Sequence, residues 1–144
     1  MKLSTIQKQT CIKSCPLFAG MEPGTLNVLA EVLETEVYSQ EEEICVHGEV
    51  ADRVYVIAEG SLAVFLPGAD SPIRHMVPGD IFGEYGMFTG ARTTTITADV
   101  ETTVLSMEYS RFKSFLFQYP DAMYELLSVA VDRLGKAEAR LRDK

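Results

Sequence analysis

Short runs rich in β-branched residues succeed one another between Tyr38 and Glu108, and this cadence restricts the fold more than any other feature of the sequence. Runs of this composition favour strands. They are Glu43 to His47, Arg53 to Ala58, Ser61 to Leu66, Pro72 to Val77, Thr93 to Ala98 and Thr102 to Met107. Turn-forming residues separate them, at Gly48, Glu59-Gly60, Pro67-Gly68, Pro78-Gly79 and Asp99. Strand starts that recur about every 8 to 12 residues are typical of sandwiches and jelly rolls, so the segment predicts an antiparallel β-roll.

Helical patterns flank this segment on both sides. Apolar residues at helical spacing follow Pro23, which suits the first position of a helix, and they predict a helix near residues 23 to 34. After Met107 the apolar spacing turns helical again, and Pro120 fits the start of a long last helix. The expected fold class is therefore mainly β with flanking α: a jelly-roll-like antiparallel β-roll with a short N-terminal helical segment and two C-terminal helices. We expect one domain over residues 1–144, helical over 1–35, a roll over 36–108 and helical over 109–144.

The last helix carries an apolar stripe whose members recur at steps of 4, 3, 4, 3 and 4. They are Met123, Leu127, Ala130, Leu134, Ala137 and Leu141. One interpretation is a helix packed on the roll, and the other is a homodimer seam or a docking surface for an effector domain. The stripe spans about two and a half heptads, fewer than a coiled coil usually needs. The pattern therefore leaves both interpretations open.

Composition and charge exclude several classes of function. The 144 residues leave room for one domain, which at this length needs no metal or cofactor for stability. With 21 acidic against 13 basic residues the net charge is −8, the wrong sign for a protein that neutralises phosphate backbones, so we expect no nucleic-acid partner. No apolar run approaches the roughly 18 residues of a membrane span, and the N-terminus does not resemble a signal peptide.

The cysteines and histidines point to neither an oxidising compartment nor a metal enzyme. Cys11, Cys15 and Cys45 form no C-x-x-C pair, which predicts reduced thiols and a cytoplasmic location. His47 and His75 lack the H-x-H spacing of a jelly-roll metal site. No nucleophile, base and orienting group occur at a recognisable spacing. We therefore expect no metal site and no enzymatic activity.

The segment from Asp80 to Ala98 has the residues of a ligand-binding loop. Gly83 and Gly86 would let backbone N–H groups approach a ligand, and a helical turn after Gly83 would aim its amides at an anion. Arg92, the sole formal positive charge between Arg74 and Arg111, would supply the bidentate donor that phosphate prefers. Glu84 would repel a phosphate but accept a hydrogen bond from a sugar hydroxyl. A ligand with both groups is a nucleotide.

The same residues resemble the phosphate-binding cassette of the cyclic-nucleotide-binding domain family. Protein kinase A regulatory subunits, cyclic-nucleotide-gated channels and the catabolite activator protein belong to that family. The cassette here runs from Phe82-Gly-Glu84 through Arg92 to Ala98. Further matches stand in the expected order at Pro16-Leu-Phe-Ala-Gly20, Gly48 to Gly60 and Pro78-Gly79-Asp80. The resemblance covers most of the chain and implies a β-roll with flanking helices, the last of which caps the base and transmits binding to an effector.

The resemblance also implies roles for individual residues. Glu84 would bind the ribose 2′-OH, Arg92 the cyclic phosphate, and the amides of Gly86 and Thr93 the remaining phosphate oxygens. The candidate ligand-binding residues are Phe82, Gly83, Glu84, Tyr85, Gly86, Arg92, Thr93 and Thr94. The implied ligand is cAMP or cGMP, with cAMP favoured, because Thr93 could hydrogen-bond a guanine but is equally ordinary in a strand. The chain is then a regulatory module.

Several positions depart from the family pattern. The seven residues between Glu84 and Arg92 are one fewer than usual, and the proline that commonly precedes the arginine is missing. Glu41 stands where the family commonly has a glycine in the turn before the second strand. The shortened loop supports an alternative interpretation: a degenerate member of the family that serves as a protein-interaction domain and binds no nucleotide.

Overall fold

Two four-stranded antiparallel sheets pack face to face and form the roll. The computed structural model describes residues 3–142. The strands are β1 Glu34–Tyr38, β2 Glu43–Cys45, β3 Arg53–Glu59, β4 Leu62–Phe65, β5 Arg74–Met76, β6 Ile81–Phe82, β7 Thr95–Ala98 and β8 Thr102–Glu108. The helices are α1 Thr5–Lys13, α2 Pro23–Val32, α3 Gly86–Thr89, α4 Tyr109–Gln118 and α5 Pro120–Arg142. The strand orders are β1-β8-β3-β6 and β2-β7-β4-β5, so β5 and β6 are edge strands.

Each predicted run contains a strand of the roll, and two further strands were not predicted from the sequence. Strand β1 directly follows helix α2 and begins at Glu34, before the expected start of the roll at residue 36. Its sequence alternates poorly because it is an edge strand that pairs only with β8. Strand β6 is two residues long and lies within the binding loop. Neither segment is long or apolar enough to give a strand pattern by itself.

The core has two parts, one inside the roll and one beneath the helices. Inside the roll, Phe82 and Tyr55 stack with ring centroids 4.8 Å apart, among side chains from both sheets. A large apolar side chain buried in this way contributes about 1.5–3 kcal/mol. The second part joins β3 and β8 to the helices, and Ala122 and Leu126 anchor the first turns of α5 there. This anchor directs the rest of α5 along the open end of the roll, beside the binding loop.

Glu41 occupies a left-handed backbone conformation, and its replacement by glycine is expected to stabilise the protein. Its φ is 70°, where a residue with a Cβ is strained by roughly 1–2 kcal/mol. Glycine relieves this strain at a smaller entropic cost, so Glu41→Gly should raise the free energy of unfolding by about 1 kcal/mol in urea titrations. The exposed Glu43, whose φ is not positive, supplies the control. Glu43→Gly should destabilise β2, and a lower stability for Glu41→Gly would contradict the expectation.

Candidate functional site

A cavity of about 980 Å³ lies between the binding loop, the second sheet and helix α5. All eight candidate ligand-binding residues line it, namely Phe82, Gly83, Glu84, Tyr85, Gly86, Arg92, Thr93 and Thr94. Clefts of this size are typical of small-molecule sites. The fold thus brings the whole predicted set to one place. We refer to residues 82–98, which supply this set, as the cassette.

The backbone of the cassette comes very close to β3 at Gly83. Its φ is +87°, and a Cβ there would lie 2.8 Å from the Arg53 carbonyl oxygen and 3.1 Å from Arg92 Nη1. Only glycine combines this conformation with this spacing. The chain then turns into the short helix α3, where a Cβ on Gly86 would meet the Ala51 Cβ at 2.4 Å. The two glycines therefore let the cassette fold tightly around the Arg92 guanidinium.

Arg92 is held in place by hydrogen bonds to the protein. Its Nη1 donates to the Gly83 carbonyl oxygen at 3.2 Å and to the Tyr109 hydroxyl at 3.0 Å. Its Nη2 donates to the Arg53 carbonyl oxygen at 3.1 Å, and the guanidinium lies 5.5 Å from the centre of the Tyr55 ring. A guanidinium has five N–H donors. The Nε–H and one Nη2–H make none of these bonds, so Arg92 keeps donors for an anion.

Tyr109, the first residue of α4, connects the cassette to the C-terminal helices. Its hydroxyl accepts the bond from Arg92 and donates to the Gly83 carbonyl oxygen. Burial raises the pKa of this hydroxyl, against the opposing charge of Arg92, so it stays protonated and able to donate. Sequence reasoning missed Tyr109, because a tyrosine at a strand–helix junction has no pattern that marks it as part of a site.

Glu84 pairs with Arg133, which comes from the middle of α5. Arg133 Nη1 donates to Glu84 Oε1, and Arg133 Nη2 donates to the Ile81 carbonyl. Among residues 3–142 the other carboxylate oxygen, Oε2, is buried without a hydrogen-bond partner. Buried polar atoms are nearly always satisfied, so this oxygen has an unused capacity to accept a hydroxyl. Sequence reasoning did not connect Arg133 with the site.

The Cys45 thiol and the Tyr55 hydroxyl near Arg92 are neutral. Burial raises the pKa of the Cys45 thiol to about 11, although the charge of Arg92 opposes the shift. Burial likewise raises the pKa of Tyr55 to about 12. Neither group becomes an anion near neutral pH, so neither competes with a negatively charged ligand for the guanidinium.

The apolar stripe of α5 lines the cavity, an arrangement that the sequence pattern had not predicted. Five of its members face the cavity: Met123, Leu127, Ala130, Leu134 and Ala137. The buried side chains of α5, Ala122 and Leu126, pack into the core and lie next to the stripe along the helix. Leu127 and Leu134 remain 61% and 59% exposed. The stripe therefore forms an apolar wall that a ligand or a partner can cover.

Metal and membrane features are absent from the part of the chain that the structure describes. Within residues 3–142 no three His, Cys, Asp or Glu side chains come together in a group that could hold a metal ion. In the same range, no helix combines the length and the apolar character that crossing a membrane requires.

Comparison of the sequence with known families and proteins gives consistent matches. The model of the cyclic nucleotide-binding domain matches residues 35–119. A CRP-like cAMP-activated global transcriptional regulator of Mycobacterium tuberculosis is 28% identical over 131 residues, which are 88% of this chain and 58% of the relative. The human potassium/sodium hyperpolarization-activated cyclic nucleotide-gated channel 2 is 29% identical over 126 residues, 87% of this chain and 14% of the channel. The chain thus spans little more than half of the first relative.

Solved structures share the fold. The Thermus thermophilus catabolite activator protein superposes with a TM-score of 0.78 at 21% identity, covering 88% of this chain and 62% of that one. The cAMP-bound PfPKA-R (141-441) superposes with a TM-score of 0.80 at 22% identity, covering 95% of this chain and 47% of that one. These likenesses confirm the predicted fold class, a β-roll with an N-terminal helical segment and C-terminal helices.

Proposed function

The chain belongs to the cyclic nucleotide-binding domain family, and on this premise we propose that it binds a cyclic nucleotide as a regulatory module. The observation that carries the proposal is that Glu84 and Arg92, each only 8% exposed, line one cavity. Charged side chains are rarely buried unless a partner compensates them. A sugar hydroxyl suits the carboxylate and a phosphate suits the guanidinium. The family consists of ligand-binding regulatory domains, and we propose that this chain likewise binds rather than catalyses.

We assign the roles of the cassette residues from the hydrogen-bond donors and acceptors that the protein itself leaves unpaired in residues 3–142. The free Nε–H and Nη2–H of Arg92 would bind the cyclic phosphate, and the amides of Gly86 and Thr93 would bind its other oxygens. Glu84 Oε2 would accept the ribose 2′-OH. The stripe of α5 would cover the base. We propose cAMP in preference to cGMP, supported by the cAMP-activated relative and by the cAMP-bound structural neighbour.

Isothermal titration calorimetry with cAMP, cGMP and the uncyclised 5′-AMP tests the proposal. We expect saturable one-to-one binding of cAMP at micromolar concentrations, weaker binding of cGMP and much weaker binding of 5′-AMP. The second candidate is a degenerate domain that binds a protein and no nucleotide. The shortened cassette and the three protein acceptors already engaged by Arg92 favour it. It predicts no heat with any of the three nucleotides.

We propose that α5 transmits binding, because Arg133 and the ribose would compete for the charge of one carboxylate: Arg133 donates to Glu84 Oε1, and the 2′-OH would donate to Oε2. When the 2′-OH donates to Glu84, the Arg133 contact weakens and the position of α5 shifts between two populations. The apolar stripe would then contact a second copy of the chain or an effector domain.

We further propose that residues 1–144 act as one domain in the cytoplasm, which the three free thiols support.

Arg133→Gln is expected to tighten cAMP binding. The substitution leaves the charge of the carboxylate to the ribose hydroxyl, and a net hydrogen-bond contribution of about 0.5–1.5 kcal/mol limits the gain in affinity to roughly twofold to twelvefold. Arg142→Gln on the same helix is the matched control, because Arg142 is exposed and lines no part of the cavity. Weaker cAMP binding by Arg133→Gln would show that Arg133 binds the ligand itself, and the proposed competition would then be wrong.

A further inference from the structure

Four of the chain's seven arginines line one cavity, which is more positive charge than a single cyclic phosphate requires. They are Arg74, Arg92, Arg133 and Arg140. Glu84 is the sole carboxylate among the lining residues in the described part of the chain. The chain as a whole carries a net charge of −8, so this concentration of cations is local. Arg92 alone accounts for the phosphate that the proposed function places in the cassette.

The other three arginines meet where two cavities adjoin. Arg74 lies on the edge strand β5, whereas Arg133 and Arg140 lie seven residues apart on α5, a spacing that puts them on one face of the helix. All three also line a second cavity of about 460 Å³, together with His75 and Lys136. We call Arg74, Arg133 and Arg140 the arginine cluster. It can be reached from both cavities.

The charge of the arginine cluster is poorly balanced by the protein. In residues 3–142 no carboxylate oxygen lies within 4.0 Å of a nitrogen of Arg74 or Arg140. The Nε of Arg74 is buried and has no hydrogen-bond partner in the same range. Burial, together with the nearby charges of Arg133 and Arg140, lowers the pKa of Arg74, although the charges of Glu84 and Asp80 oppose the shift. Like charges held this close repel each other, and an anion would relieve the repulsion.

The carboxylates that line the second cavity are already engaged. Asp80 Oδ2 accepts a hydrogen bond from the Val77 backbone N–H at 2.9 Å. Asp132 pairs with Lys136 at 3.0 Å, one helical turn away. Asp80 keeps its charge and offsets part of that of Arg74, but within residues 3–142 neither acid forms an ion pair with the cluster, which leaves its guanidinium groups open to an outside anion.

We propose that the arginine cluster is a second phosphate-binding subsite, next to the one that Arg92 provides. Guanidinium groups bind phosphate oxygens in a bidentate way, and several of them together suit a group with multiple charged oxygens. The proposal rests on the proposed function, because it assigns a second phosphate to the same binding region. This phosphate belongs either to the same ligand, as in a cyclic dinucleotide, or to a separate molecule bound beside cAMP.

The two subsites would be coupled through Glu84. Arg133 donates to Glu84 Oε1 in this structure, and a ribose hydroxyl that donates to Oε2 would weaken this contact and make Arg133 more available to the cluster. Binding of cAMP should then strengthen phosphate binding at the cluster, and the reverse must hold to the same degree.

Calorimetry with inorganic pyrophosphate, cAMP and cyclic di-AMP tests the subsite. The variants are Arg74→Gln and the exposed Arg140→Gln, with Arg142→Gln as the matched control because Arg142 lines neither cavity. Loss of one charge-assisted contact should weaken pyrophosphate binding about tenfold or more in the first two variants. The control should change it by less than about twofold. Affinity for cAMP alone should stay close to that of the unaltered protein in the Arg142→Gln control.

The outcomes separate the two sources of the phosphate. Pyrophosphate that binds together with saturating cAMP, in an Arg74-dependent way, indicates a separate molecule. Cyclic di-AMP that binds more tightly than cAMP, with the gain removed by Arg74→Gln, indicates a second phosphate on the same ligand. The subsite is overturned if cAMP binds but neither behaviour is found, if the cluster variants behave like the control, or if pyrophosphate simply displaces cAMP. Should cAMP fail to bind while Arg74-dependent pyrophosphate binding persists, the proposed function falls and the anion subsite stands.

Discussion

Arg92→Ala is expected to weaken cAMP binding by about 30-fold or more, since truncating one partner of a buried charged pair costs roughly 2–5 kcal/mol. The side chain is 8% exposed and its free donors are fixed in position by three hydrogen bonds to the protein. The phosphate would therefore lose a preorganised partner rather than a mobile surface charge. Calorimetric dissociation constants for the two proteins give the ratio directly.

Two further variants separate recognition of the phosphate from general electrostatics. Arg92→Lys keeps the charge but loses the planar guanidinium that can donate two parallel hydrogen bonds to a phosphate, so its affinity for cAMP should lie between those of Arg92→Ala and the unaltered protein. Arg111→Ala removes an exposed cation of α4 that lines neither cavity, and it should leave the affinity unchanged. Arg92→Ala also leaves the Gly83 and Arg53 carbonyl oxygens without this donor, so circular dichroism must show that the variant is folded at the titration temperature. A folded Arg92→Ala protein that binds cAMP as tightly as the unaltered protein would eliminate the proposed site.

Gly83→Ala is expected to destabilise the protein by about 2–5 kcal/mol, through backbone strain and overpacking together. The φ of +87° is unfavourable for alanine, and its Cβ would be forced within 2.8 Å of a backbone carbonyl oxygen of β3 and 3.1 Å of Arg92 Nη1. Relief of this clash requires the cassette and the guanidinium to move apart. We therefore expect a lower midpoint in urea unfolding and weaker cAMP binding in the same variant.

Gly90 provides the matched control for this substitution. Its φ is +81°, but a Cβ there would have no atom within 4 Å. Gly90→Ala thus carries the conformational strain without the close contact, and it should cost only about 1–2 kcal/mol. Equal losses of stability for the two variants would show that the close approach of the cassette to β3 contributes nothing.

Most strands could be predicted from the sequence because their signal is local. Runs such as Arg53 to Ala58 combine β-branched residues with turn signals at both ends, and the structure has β3 there. Strand β1 escaped prediction because it is a mixed polar edge strand that immediately follows a helix. Strand β6 was not predicted because it is only two residues long and forms through its pairing with β3.

The cassette could also be predicted from the sequence, because its candidate residues all lie close together in the chain, from Phe82 to Thr94. The hydrogen-bond partners of these residues could not be predicted from it. Tyr109 reaches Gly83 across 26 positions of the chain, and Arg133 reaches Glu84 across 49. A single tyrosine or arginine at such a distance has no periodicity or spacing that would indicate the contact.

The amino-acid sequence by itself determined the β-roll and the position of the cassette, because side-chain branching, turn glycines and helical spacing act on neighbouring residues. Only the tertiary structure decided that the apolar stripe of α5 faces the cavity and that Arg74, Arg133 and Arg140 gather beside it. The burial of Ala122 and Leu126 in the core sets the direction of α5 and hence which of its faces meets the cassette. Packing of this kind depends on the whole core, and the charges that it brings together lie far apart in the chain.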